Sequence, residues 1–281
     1  MTNNNTKTVV VFTAFAVATT LASLPRAQAQ AAQAADPSDP AETVSAAPAS
    51  LAARGTAGDP NIDRGFLLPT AMTQPAGSIT YNNYELLLHG VTYGITDRVQ
   101  ASVTVLSPIV SGMPFVGYAA VKGQIVSTDR FHLALQGSFG GGHITILDSG
   151  SNFYSAGAGV IASACLRADC SSLLSASATY QVGLDDLSSF SERLDTLIYG
   201  ASVVHRVGQH VKLLAEVTSA AGSAGTSGTF QNADGVLVGY GVRFNSNDIA
   251  ADVGFARPFG ASVDSQFIMG LPFVNVSYRW Q

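Results

Sequence analysis

The sequence predicts an all-β protein, a closed antiparallel transmembrane β-barrel of about 12 strands. Five short polar turns recur between alternating apolar stretches, at spacings of roughly 35 to 40 residues. In each pair of stretches one face is apolar and aromatic, and the other carries Gly, Ser and Thr with few charges. The composition agrees: 47% hydrophobic, 12% charged and 28 Gly, with a mean hydropathy of +0.25. Globular proteins average about 25% charge. Beyond the N-terminus there is no run of about 18 apolar residues, which a membrane helix would need.

Residues 1–29 read as a signal peptide. Lys7 supplies a positive charge, Val9 to Leu24 is an apolar stretch, and small-x-small sites follow at Ala29 or Ala31. No Cys follows that stretch, so no lipid anchor is indicated. Removing Lys7 and Arg26 from the 14 basic residues leaves 12 against 19 acidic ones, which gives no reason to expect nucleic-acid binding. Residues 30–64 read as a flexible periplasmic linker, rich in Ala, Pro, Ser and Asp and without Phe, Tyr or Trp. Residues 65–281 form the barrel.

The strand pairs follow from period-two patterning. A turn at Thr96–Arg98 closes the first pair. With Thr128–Arg130 as the second turn, Ser127 pairs with Phe131. Val121, Ile125, Leu133 and Leu135 then share one face, and Lys122, Gln124, His132 and Gln136 the other. "ACLRADCSS" supplies the third turn, and Leu174, Ala176, Ala178, Tyr180 and Val182 alternate with Ser and Thr after it. A turn at Val207–Gln209 aligns Ala201, Val203, Leu213, Ala215 and Val217 against Arg206, His210, Lys212 and Glu216. Asn245–Asp248 makes the fifth turn, with Phe244 paired to Ile249 and Arg243 diagonal to Asp252. Charges fall on the small-residue face throughout, as they must if the apolar face meets lipid. A charge at mid-bilayer would cost ~2–4 kcal/mol.

"YELLLHG" breaks the alternation, and a β-bulge near His89-Gly90 would restore it. "LDDLSSFSERLD" and "TSAAGSAGTSGTFQNAD" read as long extracellular loops. The last strand alternates to its end, with Val274, Val276, Tyr278 and Trp280 on one face and Asn275, Ser277 and Arg279 on the other. The five turns join ten strands and the terminal strand makes eleven. An even count requires one more before Leu86, for which Ser78–Tyr84 is the choice and Gly65–Thr73 the alternative.

"LLPTAMTQPAGSITYNNYELLLHGVTYGITDRVQASV" resembles the opening of a broad group of bacterial outer-membrane, porin-like β-barrels. The shared pattern is Pro69-Thr70-Ala71, Pro75-Ala76-Gly77 and Tyr93 to Asp97, and it spans about an eighth of the chain. The resemblance implies a barrel in the bacterial outer membrane, in contact with its lipid and lipopolysaccharide. It brings no substrate. The terminal Tyr278-x-Trp280 resembles the signal that the barrel-assembly machinery reads, although Gln281 follows it and Asn275 stands where Gly is frequent.

Catalytic chemistry is not expected. Ser202 and His205 stand three apart on one strand and so face opposite sides. His143, with Asp148 and Ser149, falls in an outer loop and is the best triad-like cluster. His205 faces lipid, and His89 has no assignment. Asp185-Asp186 reads as solvated loop charge. Glycine-rich "GAGAGV" and "GSFGGGH" lack the strand-to-helix context of a phosphate cradle, so their glycines thin the lumen face instead. Cys165 and Cys170 read as a disulfide, since zinc wants about four ligands and none adjoins them in sequence. No metal or cofactor is implied.

What remains is the lumen set: Lys122, Gln124, His132, Gln136, Arg206, His210, Lys212, Glu216, Arg243, Asp252 and Arg279. Charged rings of this kind set ion selectivity in pores. The leading reading is a porin-like passage for small hydrophilic solutes or ions, with no enzymatic activity. The alternative is a structural or surface-binding barrel with a plugged lumen, and the third reading a lipid-modifying enzyme. Nothing marks an oligomer interface.

Overall fold

Strands form where apolar and small residues alternate, and the polar turns end them. The computed structural model describes residues 58–85, 87–106, 115–146, 149–185, 194–224, 231–260 and 270–280. Twelve strands lie among them. The first six are β1 (Ile79–Tyr84), β2 (Leu88–Thr96), β3 (Val99–Leu106), β4 (Phe115–Ser127), β5 (Phe131–Ile146) and β6 (Ser149–Cys165). The second six are β7 (Leu173–Asp185), β8 (Leu194–Arg206), β9 (Val211–Ala224), β10 (Gln231–Asn245), β11 (Ile249–Gly260) and β12 (Leu271–Trp280). Each pairs antiparallel with its neighbours in sequence, and β1 pairs with β12 to close the barrel.

Period-two alternation decides what each face meets. Val91, Val103, Val121, Leu135, Val253 and Val274 stand exposed on the outer wall. Lys122, Lys212, Glu216, Arg243, Asp252 and Arg279 are buried inside it. The wall is uneven in height. β5 and β6 run 16 and 17 residues, whereas β1, β2 and β3 have 6, 9 and 8.

Four sequence expectations change in detail. The break at "YELLLHG" is a hairpin turn, not a bulge: β1 ends at Tyr84, Glu85 adopts a φ of 54°, and β2 starts at Leu88. His89 and Gly90 then pair in register with Asn83 and Asn82, while the irregularity on β2 falls at Gly94/Thr96. The fifth turn is centred one residue later than expected, with β10 running on to Asn245 and Ser246 N–H donating to the Ile249 carbonyl, so Phe244 opposes Ala251 and Arg243 lies directly across from Asp252. Arg206 likewise opposes Lys212. Both shifts are by two residues, which preserves every facing. In the second pair Ser127 opposes His132, with a bulge between Gln124 and Val126. The twelfth strand is β1, close to the Ser78–Tyr84 choice.

Gly65–Thr73, the other choice for that strand, lies inside the barrel. Residues 58–77 enter the lumen at the short-turn end, where Asn245 Nδ2 donates to the Gly58 carbonyl. They turn at Gly65–Leu68, whose Gly65 N–H donates to the Leu68 carbonyl at 2.8 Å. They return to the wall where Gly77 N–H donates to the Gly94 carbonyl. Gly94 has to be glycine, because a Cβ there would overlap the Pro75 carbonyl. We call this segment the plug. Its buried Asp59, Asn61 and Arg64 precede Gly65, so the plug begins ahead of the boundary drawn from composition.

Ile62, Phe66 and Met72 of the plug join wall residues Cys165, Cys170, Leu173, Val204, Leu214 and Phe273 in one apolar cluster. Phe66 sits on a part of the β10 wall that glycine thins. A Cβ on Gly239 would stand 2.7 Å from the Phe66 ring, and one on Gly241 3.1 Å from it. Gly239→Val therefore has to displace the ring. It is expected to cost ~1–3 kcal/mol as overpacking, read as a lower midpoint for the heat-modifiable gel shift, while a Val at Gly123, where a Cβ meets nothing within 4 Å, leaves that midpoint in place.

Candidate functional site

The lumen charges meet the plug. Asp59 approaches the Lys212 ammonium and lies 3.3 Å from Arg243 Nη1. Arg243 also grips Asp252 directly across the β10–β11 pair, through Nε at 2.6 Å and Nη2 at 3.1 Å. Its remaining donors reach the carbonyls of Asn61 and Gly65 at 2.8 and 2.6 Å. Arg64 donates to Ser277 at 3.0 Å, lies 3.6 Å from Asp252, and covers the Tyr84 ring at 4.6 Å. Glu216 Oε2 accepts three plug amides, from Phe66, Leu67 and Leu68 at 3.2, 2.9 and 2.8 Å. Successive N–H groups converging on one oxygen form an anion nest.

The other lumen residues divide in the same way. Lys122 donates to the carbonyls of Asp63 and Thr70 at 3.0 and 2.8 Å. Gln124 donates to the Ala71 carbonyl at 3.1 Å and lies 3.2 Å from His132 Nδ1. Arg279 reaches the Asp59 carbonyl at 3.4 Å and the Asn247 carbonyl at 2.8 Å. Gln136, higher on the wall, donates to the Tyr118 hydroxyl. Arg206 and His210 stay at the turn end, against the Gly208 and Asn245 carbonyls respectively.

Sequence reasoning missed Asp59, Asn61, Arg64 and Gln74, all buried plug residues. Their signal was the charged cluster in "GDPNIDRGFLL", which is out of place in an Ala/Pro/Ser linker. It also missed a neighbour of the disulfide. Cys165 and Cys170 are bonded, and His132 Nε2 lies 3.5 and 4.0 Å from their sulfurs.

On β8, Ser202 is buried on the lumen side and His205 is exposed on the outer side. His143 stands on β5, not in a loop, bonded to Asn152 Oδ1 at 2.9 Å. The Ser149 side chain, Asp148 and Asp186 lie outside the described residues, and Asp185 ends β7. Tyr278 and Trp280 face outward, their rings edge to face at 4.6 Å. His89 faces outward too, with its Nδ1 2.7 Å from the Tyr81 hydroxyl and 3.1 Å from Asn83 Nδ2.

A closed strand wall, apolar outside and charged within, is a transmembrane β-barrel. The protein is a bacterial outer-membrane barrel. No known family profile matches the sequence, and no curated protein matches it. Solved structures similar to it include OmpT of Vibrio cholerae, at 12% identity and a TM-score of 0.40, covering 69% of this chain and 64% of that one. The in-vitro folded form of that OmpT gives 12% and 0.34, covering 72% and 95%. LpxR from Salmonella typhimurium gives 10% and 0.41, covering 72% and 98%. This chain thus spans less than two thirds of the first OmpT chain.

The expectation that the chain is not an enzyme is corrected. It rested on reading strands singly, where no hydroxyl, base and orienting group fell together. Strand pairing assembles Tyr81, Asn83 and His89 into one hydrogen-bonded group.

Burial alone would raise the Asp59 carboxyl, but the Lys212 ammonium and Arg243 guanidinium outweigh it and hold the group below the usual carboxylate range. A depressed folded-state value means stabilisation that is complete above the unfolded value of about 3.9 and is lost as pH falls toward the folded one. Hydrogen-exchange protection of the plug amides of Gly65 and Thr70, which donate to the Leu68 and Asp63 carbonyls, corrected for intrinsic rates, is therefore expected to hold from pH 7 to 5 and to weaken only below about pH 4. Asp59→Ala leaves the buried Lys212 ammonium without its carboxylate, while Arg243 keeps Asp252, and is expected to cost ~3–5 kcal/mol of that protection already at pH 7.

Proposed function

We propose that this outer-membrane barrel is closed by its own plug and works at its surfaces, as a structural or surface-binding barrel and not as an open passage. The observation that carries the reading is the fate of the lumen charges. Lys212, Arg243 and Asp252 are bound to plug side chains or to one another, and Glu216 is occupied by three plug amides. Charged rings that conduct ions face water; these face protein. A girdle neutralised in this way gives no anion preference, so the porin-like passage is set aside. The reading includes removal of residues 1–29 on export, insertion through assembly machinery that engages Tyr278 and Trp280, and outer surfaces that meet lipid and lipopolysaccharide.

Planar-bilayer recording tests it. The wild-type barrel is expected to be silent, and Asp59→Asn with Glu216→Gln to show open steps as the plug loosens. Stable open steps from the wild type would overturn the plugged reading.

A second reading, a lipid-modifying enzyme, rests on the Tyr81–Asn83–His89 group. It faces hydrocarbon on the low side of the wall, where polar groups are costly and tend to be functional. Released acyl chains are expected when the barrel is incubated with lipopolysaccharide or phospholipid, and their release should fall by about 10²–10⁴-fold in His89→Ala, the scale of a lost general base. The same yield from wild type, His89→Ala and a no-protein control would remove this reading.

A further inference from the structure

The disulfide at the plug base adjoins a side chain that no disulfide needs. His132 is fully buried on β5, and its Nε2 lies 3.5 Å from Cys165 Sγ and 4.0 Å from Cys170 Sγ. The three ligand atoms all fall within 4.8 Å of one another. β5–β6 pairing brings Phe131 opposite Ala164, so the register itself delivers His132 to the turn that Cys165 begins. Met72 of the plug belongs to the same buried cluster as both sulfurs. Two thiols and an imidazole in sulfur-rich, apolar surroundings suit a soft ion, and three ligands are too few for a closed zinc site.

We propose that reduction of the Cys165–Cys170 bond converts this corner into a three-coordinate site for copper(I), held by Cys165, Cys170 and His132. The reductant is a dithiol. It gives two electrons and two protons to the bridge, is itself left as a disulfide, and frees two thiols. The ion then displaces the two thiol protons and takes the Nε2 lone pair. His132 has to carry its proton on Nδ1 for that, where Ser127 Oγ at 3.3 Å accepts it. Gln124 now faces Nδ1 with its Nε2 while donating to the Ala71 carbonyl. Protonation of Nδ1 sets two donors against each other, so loading the site bears on the plug through Gln124.

The test uses the full barrel in detergent. It is reduced with a dithiol, desalted under nitrogen, and titrated with copper(I) against a coloured copper(I) chelator. Heat-modifiable migration confirms that the barrel is intact. One ion per chain is expected in the reduced barrel and none in the oxidised one. The double variant Cys165→Ser, Cys170→Ser is expected to bind none. His132→Ala should weaken binding by more than the roughly hundredfold that loss of a mere supporting partner can cost. His132→Gln, which keeps a polar group toward Ser127, should weaken it as much; if His132→Ala loses the heat-modifiable shift, His132→Gln decides. Absence of copper(I) uptake by the reduced barrel overturns the proposal. So does unweakened binding in the folded His132 variants, tighter uptake of zinc than of copper(I), or loss of the barrel on reduction, since only the barrel brings His132 to the sulfurs.

Discussion

In hydrocarbon a backbone N–H has no partner except another group of the same chain. That single constraint organises this molecule. It forces every strand to pair on both edges, so the sheet has to close, and β1 against β12 completes the closure. Closure creates an interior, and period-two alternation then sends half of each strand's side chains into it. The outer half is apolar because it must be. The inner half is free to carry charge, and a barrel of twelve strands has more room than its own side chains fill.

The plug and the charged wall follow from each other. A buried ion is costly unless it is paired and hydrogen-bonded. Once residues 58–74 occupy the lumen, each wall charge in their path needs a partner, and the plug supplies several. Asp59 lies between Lys212 and Arg243, and the backbone of Phe66–Leu68 converges on Glu216. The reverse also holds, because the plug has little regular structure and its amides and carbonyls would be unpaired without the wall. Lys122 and Gln124 take carbonyls of Thr70 and Ala71, and Ser163 accepts the Ala71 N–H.

The wall was largely legible in the sequence, because its physics repeats every second residue. Facing survived even where register did not: Arg243 was placed diagonal to Asp252 and lies directly opposite it, a shift of two residues that turns no side chain over. The break at "YELLLHG" could be seen but was misread, since a tight turn and a bulge leave the same gap in an alternating pattern. The plug was not legible. It has no period, and its partners stand far away in the chain, Asp59 and Arg243 being 184 residues apart. Its Asp and Arg residues follow an Ala/Pro/Ser stretch, so composition grouped them with it. His132 was placed in the lumen by alternation, but its closeness to the cysteines depends on the β5–β6 register, which spacing alone does not reveal.

Chain order constrains how such an object is assembled. The plug leads directly into β1, and its contacts run to β4, β6, β9, β10, β11 and β12. No subset of early strands offers it a complete site. Arg243 and Asp252 lie across one hairpin and can pair as β10 meets β11, but the nest at Glu216 and the Phe66 seat on Gly239 require β9 and β10 side by side, with the wall closed around them. The complete seat for the N-terminal segment therefore exists only in the finished wall, and the segment meets it at the short-turn end where Gly58 and the terminal strand come together. Arg279, next to the last described residue of β12, reaches both the Asp59 carbonyl and the Asn247 turn. The strand that closes the wall thus also touches the segment that closes the lumen.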